Sequence, residues 1–404
     1  IGIDDGTAQL AQQQAHRRLA AADVSGDAEH VHQVTIIGGP ARWRSPRLSM
    51  VAPRSTCKGC IISLGMEREA LLYERLPASR VRCHVCQWRC VINPGKSGVC
   101  GVRTNRDGVL MAVNYGIVSS VAVDPIEKKP LFHFHPGTAV FSLGGWGCNF
   151  HCVHCQNWEI ACTDVPGDSQ YLSPEAQVRA AVRERCAGIA WTYNEPAIWL
   201  EYTLDSARLA HEHGLYTAYV TNGFMTAEAL DVMAPVLDAW RVDVKGFTDA
   251  AYERLARVRQ WRGILEVAVR ARRRWNMHVE VVTNLIPGLN DDDAQVDGIA
   301  GWIAAELGEL TPWHVTRFFP MHQLQDVPPT PLATIRRAVD RGRRAGLKFV
   351  YAGNVQGEGE DTVCYSCGRT VVRRIGYRAD VLALRGSYCA NCGADLNFRP
   401  AAAR

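Results

Sequence analysis

Residues 136–355 predict an α/β fold built as a parallel barrel or part of one. Three observations lead there. Apolar, β-branched runs alternate with helical patterns, as in successive βαβ units. No glycine-rich dinucleotide fingerprint accompanies the six or seven units, which favours a barrel over an open nucleotide-binding sheet. The runs end on polar residues, as at the rim where such barrels hold their working groups.

The elements follow in order. "TAVFSLGG" (138–145) reads as the first strand. A helix near 173–186 opens with Ser173 as N-cap and Pro174 at the first helical position. "GIAWTYN" (188–194), a helix near 197–213, "LYTAYVTNG" (215–223), a short helix near 226–236 and "AWRVDVKG" (239–246) come next. Helical patterns near 248–256 and 260–275 precede "HVEVVTNLIPG" (278–288). A helix near 292–307, "WHVTRFFP" (313–320), a helix near 331–345 and "LKFVYAGN" (347–354) complete the alternation. The strand ends offer Asn194–Glu195, Thr221–Asn222, Asp243 with Lys245, Asn284 and Arg317.

The flanks differ. Residues 1–65 show no period and receive no predicted structure. Residues 66–135 form a cysteine-rich N-terminal region that begins with the helix-like "MEREALLYERL". Residues 356–404 form a small cysteine module.

Composition bounds the class. With 404 residues, 47% hydrophobic and 21% charged, the chain has room for a large core. A net charge of +4 is small for this length, and the arginine clusters "ARRRW" (271–275) and "IRRAVDRGRR" (335–344) lie in helical patterns without interleaved aromatics. They read as solvated faces, so no nucleic-acid partner is expected. No apolar run reaches the roughly 18 residues of a membrane span. The first residues lack the apolar core of a signal peptide, which predicts a cytoplasmic protein.

Fifteen cysteines fall in groups: 57/60, 83/86/90/100, 148/152/155, 364/367 and 389/392, with Cys162 and Cys186 alone. Grouping in a large chain reads as metal binding rather than a disulfide framework. "GCNFHCVHCQNW" (147–158) offers three thiols, Cys148, Cys152 and Cys155. Three thiolates can hold three irons of a [4Fe–4S] cluster and leave the fourth open, whereas electron-transfer clusters close it with a fourth cysteine. S-adenosylmethionine (SAM) can fill the opening through its amino and carboxylate groups. An electron passed into its sulfonium then releases an adenosyl radical.

Cys364-x2-Cys367 and Cys389-x2-Cys392 are each followed by glycine, as in two knuckles of a zinc ribbon. Cys83, Cys86, Cys90 and Cys100 offer four thiols that suit either zinc or a second iron–sulfur cluster, and spacing alone does not choose. A rival pairing of Cys57/Cys60 with Cys83/Cys86 has ribbon-like spacing. His133 and His135 of "LFHFHPG" read as satisfied structural histidines.

These motifs resemble the radical SAM superfamily. More closely, the chain resembles the AmmeMemoRadiSam-system radical SAM enzymes, relatives of the pyruvate formate-lyase activating enzymes. The resemblance runs from about Met66 to Asn397 through "VRCHVCQWRCVINPGKSGVCGVRTNRDG", "DPIEKKPLFHFHPG", "GCNFHCVHCQNWEI", "TYNEP", "VTNG", "DVKG" and "LIPGLND". It implies a partial (β/α)6 barrel with Cys148, Cys152 and Cys155 as cluster ligands. It implies SAM contacts from Asn194, Glu195, Thr221, Asn222 and Asn284, although "TYNEP" stands where activating enzymes carry a "GGEP"-like segment. Asp243 and Lys245 resemble a segment near the substrate, with a buried ion pair as the plainer reading. An electron donor such as flavodoxin or ferredoxin is implied as partner. The expected activity is reductive SAM cleavage and hydrogen abstraction from a small-molecule or protein substrate that no motif names. A glycyl-radical enzyme activase is the alternative, and an iron–sulfur carrier or metal-binding scaffold is the reading from another class.

Overall fold

The computed structural model describes residues 67–162, 166–355, 357 and 359–400. Its centre is an eight-stranded sheet: β1 (Ser120–Pro125), β2 (Ala139–Gly144), β3 (Gly188–Trp191), β4 (Tyr216–Thr221), β5 (Ala239–Asp243), β6 (His278–Leu285), β7 (Trp313–Arg317) and β8 (Val350–Gly353). Spatial order equals chain order. Strands β2 to β8 are parallel, and β1 lies antiparallel against β2. Strands β1 and β8 are the two free edges, so the barrel is partial.

Helices α1 (Pro174–Arg183), α2 (Leu200–Glu212), α3 (Ala227–Met233), α4 (Asp249–Ala256), α5 (Arg262–Arg273), α6 (Asp293–Trp302) and α7 (Leu332–Arg344) fill the connections. Six β/α units result, from β2 to α7, and β8 adds a seventh parallel strand. Ser173 caps α1 by accepting from the Ala176 amide, and Pro174 takes the first helical position, as its sequence predicts.

Side-chain size sets which strand face turns outward. Trp191, Tyr219 and Trp240 pair across β3, β4 and β5 and are fully buried. The Tyr219 hydroxyl meets Thr203 of α2, so this row lies under the helices. The alternating row is Ala190, Ala218 and Ala239. These small residues leave room inside for Ile126, Leu131 and Phe134, which plug the end where the strands begin.

The plug is fastened by Glu280 of β6. Its buried carboxylate accepts from the Phe132 and His133 amides (3.0 and 2.8 Å) and is bound by His278 and His314 (2.9 and 2.6 Å). The C-terminal module covers the plug from outside. Arg374 donates to the Phe132 carbonyl at 2.6 Å. His133 bridges the Leu396 carbonyl and the Tyr351 hydroxyl (2.8 and 2.6 Å), a satisfied structural histidine as its sequence setting predicts, whereas the buried Nδ1 of His135 has no hydrogen-bond partner and departs from that expectation.

Another expectation fails. The helix-like segment from Met66 contains two strands instead, Arg68–Glu69 and Tyr73–Leu76. Ala78 and Ser79 both adopt left-handed backbone (φ 60° and 52°) and fold Tyr73–Leu76 back onto Arg80–Cys83. Pairing across that turn overrides the local helical pattern. Strand β1 is an addition that the sequence reading lacks.

Candidate functional site

The loop after β2 lies at the end of the barrel where the strands finish. Its entry requires glycine at 147. Gly147 has φ 76°, and a Cβ there would lie 2.6 Å from the Cys100 carbonyl oxygen. Asn194, at the end of β3, braces this turn from the side. Its Oδ1 accepts from the Gly145 amide (3.1 Å), and its Nδ2 donates to the Gly147 carbonyl (2.9 Å). Farther along, the Val153 amide donates to the Leu255 carbonyl (3.0 Å), and its carbonyl accepts from the Gln323 amide (2.9 Å). The loop is thus tied to three other rim segments.

Cys148, Cys152 and Cys155 are each half-buried as residues. Among the described residues, the C-terminal quartet is the one group in which three or more metal-type donor atoms lie mutually within 4.8 Å. The three loop thiols are therefore more widely spread than ligands of a single zinc. The Phe150 amide approaches the Cys148 sulfur at 3.4 Å. Burial raises all three thiols, Cys152 to about 12, where Lys245 partly opposes the effect.

Glu195 is the junction between β3 and β4. Its Oε1 accepts from the Ala197 amide (3.0 Å) and the Thr221 hydroxyl (2.6 Å), and its Oε2 from the Asn222 amide (2.8 Å). Burial pushes its carboxyl up to about 7, against the opposing pull of Thr221 and the two amides. Asn222 reaches on through Nδ2 to Asn149 Oδ1 at 2.8 Å. Asn149 is fully buried and joins the cysteine loop to β4, a role the sequence reading misses. Its position directly after Cys148 was the available signal. Asn194, Glu195, Thr221 and Asn222 thus form one hydrogen-bonded network with the loop.

Asp243 and Lys245 stand at the end of β5. Lys245 and Arg241 bind Asp243 at 3.2 and 2.5 Å. Burial works against the Asp243 charge, but Arg241 and Lys245 outweigh it and hold the carboxyl below its ordinary value. Asn284 of β6 has a buried Oδ1 without a hydrogen-bond partner. Arg317 is held away by the Thr330 carbonyl at 2.7 Å.

Two further cysteine sets occupy opposite ends of the barrel. Cys83, Cys86, Cys90 and Cys100 line one cavity near the strand ends. Cys57 and Cys60 of the rival pairing lie outside the described residues. Cys364, Cys367, Cys389 and Cys392 gather in the C-terminal module, with sulfur separations of 3.6 Å (364–392) and 3.8 Å (367–389). Its two knuckles match. Gly368 and Gly393 have φ 71° and 76°, and their amides donate to the Cys364 and Cys389 carbonyls, both at 2.9 Å. The Arg369 amide heads the influences that lower the Cys367 thiol to about 6.

Comparison with known proteins gives the chain a family. The Radical SAM superfamily pattern matches residues 145–297. An uncharacterized Methanocaldococcus jannaschii protein is 41% identical over 337 residues, covering 82% of this chain and 99% of that protein. A second uncharacterized protein of the same organism is 23% identical over 191 residues, covering 46% and 51%. Among solved structures, a domain of a pyruvate-formate lyase-activating enzyme from Bacteroides vulgatus ATCC 8482 aligns with TM-score 0.36 and 15% identity, covering 42% of this chain and 99% of that one. A radical SAM methyltransferase from Sphaerobacter thermophilus aligns with TM-score 0.44 and 18% identity, covering 58% and 71%. The matched region begins at the cysteine-loop turn and ends inside α6, spanning the rim residues from Asn194 to Asn284, and the chain belongs to the radical SAM superfamily.

Proposed function

We propose that the protein reductively cleaves SAM at a [4Fe–4S] cluster held by Cys148, Cys152 and Cys155, and uses the adenosyl radical to abstract hydrogen from a substrate. The observation that carries this reading is the loop itself. Three thiols, too widely spread for one zinc, lie beside the ends of β3 and β4. Such spacing suits a cubane, which places a metal–sulfide core between its ligands. When bound, the cluster supplies one electron at an iron left open for SAM.

The chain's own residues have divisible tasks. Asn194 fixes the turn that presents Cys148. Glu195 has all its contacts inside the protein, so it acts by holding Thr221 and Asn222 in place. Asn284 Oδ1 is an acceptor ready for a donor group of SAM. Asp243 and Lys245 form a fixed ion pair toward the substrate side, and flavodoxin or ferredoxin suits the role of electron donor. The motifs quoted for residues 80–135 support placement in the AmmeMemoRadiSam-system branch.

The test is anaerobic reconstitution with iron, sulfide, reductant and SAM, followed by chromatography for 5′-deoxyadenosine. The parent protein is expected to form it. The variant with Cys148→Ala, Cys152→Ala and Cys155→Ala is expected to form none. Equal production by both would overturn the reading.

A further inference from the structure

We propose that Cys83, Cys86, Cys90 and Cys100 bind a complete [4Fe–4S] cluster, which relays single electrons to the cysteine loop. The relay rests on the loop reading above; the cluster does not.

The first argument is geometric. A tetrathiolate zinc site with Zn–S bonds of about 2.3 Å has sulfurs about 3.8 Å apart along every edge. In the C-terminal quartet two edges measure 3.6 and 3.8 Å, and all four sulfurs lie within 4.8 Å of one another. The N-terminal quartet does not, since no three of its sulfurs lie mutually within 4.8 Å. Yet all four line the same cavity, whose remaining wall is largely apolar, with Val85, Ile92 and Ile198. Four thiols around one cavity, too far apart to share an ion, suit a ligand with a body of its own. A cubane with four cysteine ligands is such a body, and four thiolates leave none of its irons open.

The second argument is electrostatic. Arg103 also lines the cavity and is 2% exposed. Its terminal nitrogens bind Glu201 at 2.8 and 2.7 Å and the Ile198 carbonyl at 3.2 Å. Its Nε is buried without a partner. An unmet donor beside four thiols calls for an acceptor inside the cavity. A thiolate-bound cluster presents sulfur acceptors and negative charge there.

The third argument is placement. The Cys100 carbonyl packs against Gly147, the residue before Cys148. Trp88, between Cys86 and Cys90, donates from Nε1 to the Asn149 carbonyl, the residue after Cys148, at 2.7 Å. The Gln87 amide donates to the Phe224 carbonyl at 3.1 Å, two residues beyond Asn222. The two cysteine sets therefore touch through backbone on both sides of Cys148. Cys90 is the one half-buried residue of the four. If bound, such a cluster would supply one-electron transfer between a flavodoxin- or ferredoxin-class donor and the loop site, where the electron would complete the sulfur lone pair of released methionine and leave the radical on the adenosyl carbon.

The test counts metals in the variant lacking Cys148, Cys152 and Cys155, reconstituted anaerobically with iron and sulfide in the presence of zinc. About four irons per chain, with an electron paramagnetic resonance signal after dithionite that SAM does not alter, are expected. No iron would overturn the proposal, whether zinc fills the quartet or its thiols titrate freely. Should that variant fail to fold, the parent protein decides: about eight irons support the second cluster, and about four refute it. A parent without a SAM-sensitive signal, beside four irons in the variant, would remove the loop reading and keep the cluster. For the relay, Cys90→Ala with Cys83→Ala should cut flavodoxin-driven 5′-deoxyadenosine formation at least tenfold while a SAM-sensitive signal persists. An unchanged flavodoxin-driven rate would overturn the relay.

Discussion

Replacing Glu195 by glutamine separates two opposed effects on one buried carboxylate. Burial favours its neutral form, while the Ala197 amide, the Thr221 hydroxyl and the Asn222 amide favour its charge. Burial wins: the ordinary value of 4.5 rises to about 7. The folded chain therefore holds this proton more tightly than the unfolded chain. The stabilisation is complete below pH 4.5 and is lost as pH rises through 7. At about 1.4 kcal/mol per pH unit, the loss reaches about 3 kcal/mol. That is a large share of a typical stability of about 5–15 kcal/mol. Glutamine mimics the neutral acid and does not titrate. Urea unfolding of both proteins, under anaerobic conditions from below pH 4.5 to above pH 7, checks the sign. The variant's NH2 cannot accept from the Asn222 amide, which sets a constant offset; measured from that offset, it should gain on the parent by up to about 3 kcal/mol between the acid and the alkaline end. A difference that stays flat, or moves against the variant as pH rises, would mean that the three donors outweigh burial. Glu195 would then be an ordinary charged cap.

Three other outcomes are expected. Asn194→Ala removes two hydrogen bonds from the turn before Cys148, so it should destabilise the chain by about 1–3 kcal/mol and speed iron loss to a chelator. Gly147→Ala forces a side chain into left-handed backbone against Cys100 and should destabilise by at least about 1–3 kcal/mol, read by thermal unfolding. Cys364→Ser with Cys389→Ser should lose about one zinc per chain by metal analysis, and a parent free of zinc would refute the ribbon's proposed ion.

The barrel strands are legible in the sequence because each β-branched run is long enough to show its class. The helix starts are legible where a cap announces them, as at Ser173. The C-terminal quartet is legible because spacing and turn glycines fix a knuckle locally. What escapes is set by distant partners. The segment Tyr73–Leu76 carries a helical pattern, and only its partner Arg80–Cys83 makes it a strand. The bond from Asn149 to Asn222 spans 73 residues; the neighbouring Cys148 marks Asn149 as a loop residue, but nothing near either residue names its partner. The same holds for Glu195. Its place at a strand end is readable, but its full engagement with Thr221, Asn222 and Ala197 is a property of the fold.

The floor of the barrel has a consequence for how much of this protein a cell can keep. Phe132 meets Arg374 across 242 residues, and every barrel strand precedes the ribbon in the chain. A newly made barrel therefore waits for the ribbon before Phe132, Phe349 and Tyr351 are covered. If metal folds that ribbon, as it does in other small cysteine modules, metal supply becomes a quality checkpoint. Chains starved of it present an apolar floor to chaperones and proteases, and their abundance falls. The amount of the whole barrel would then be set by the metal supply of a small module at the end where its strands begin.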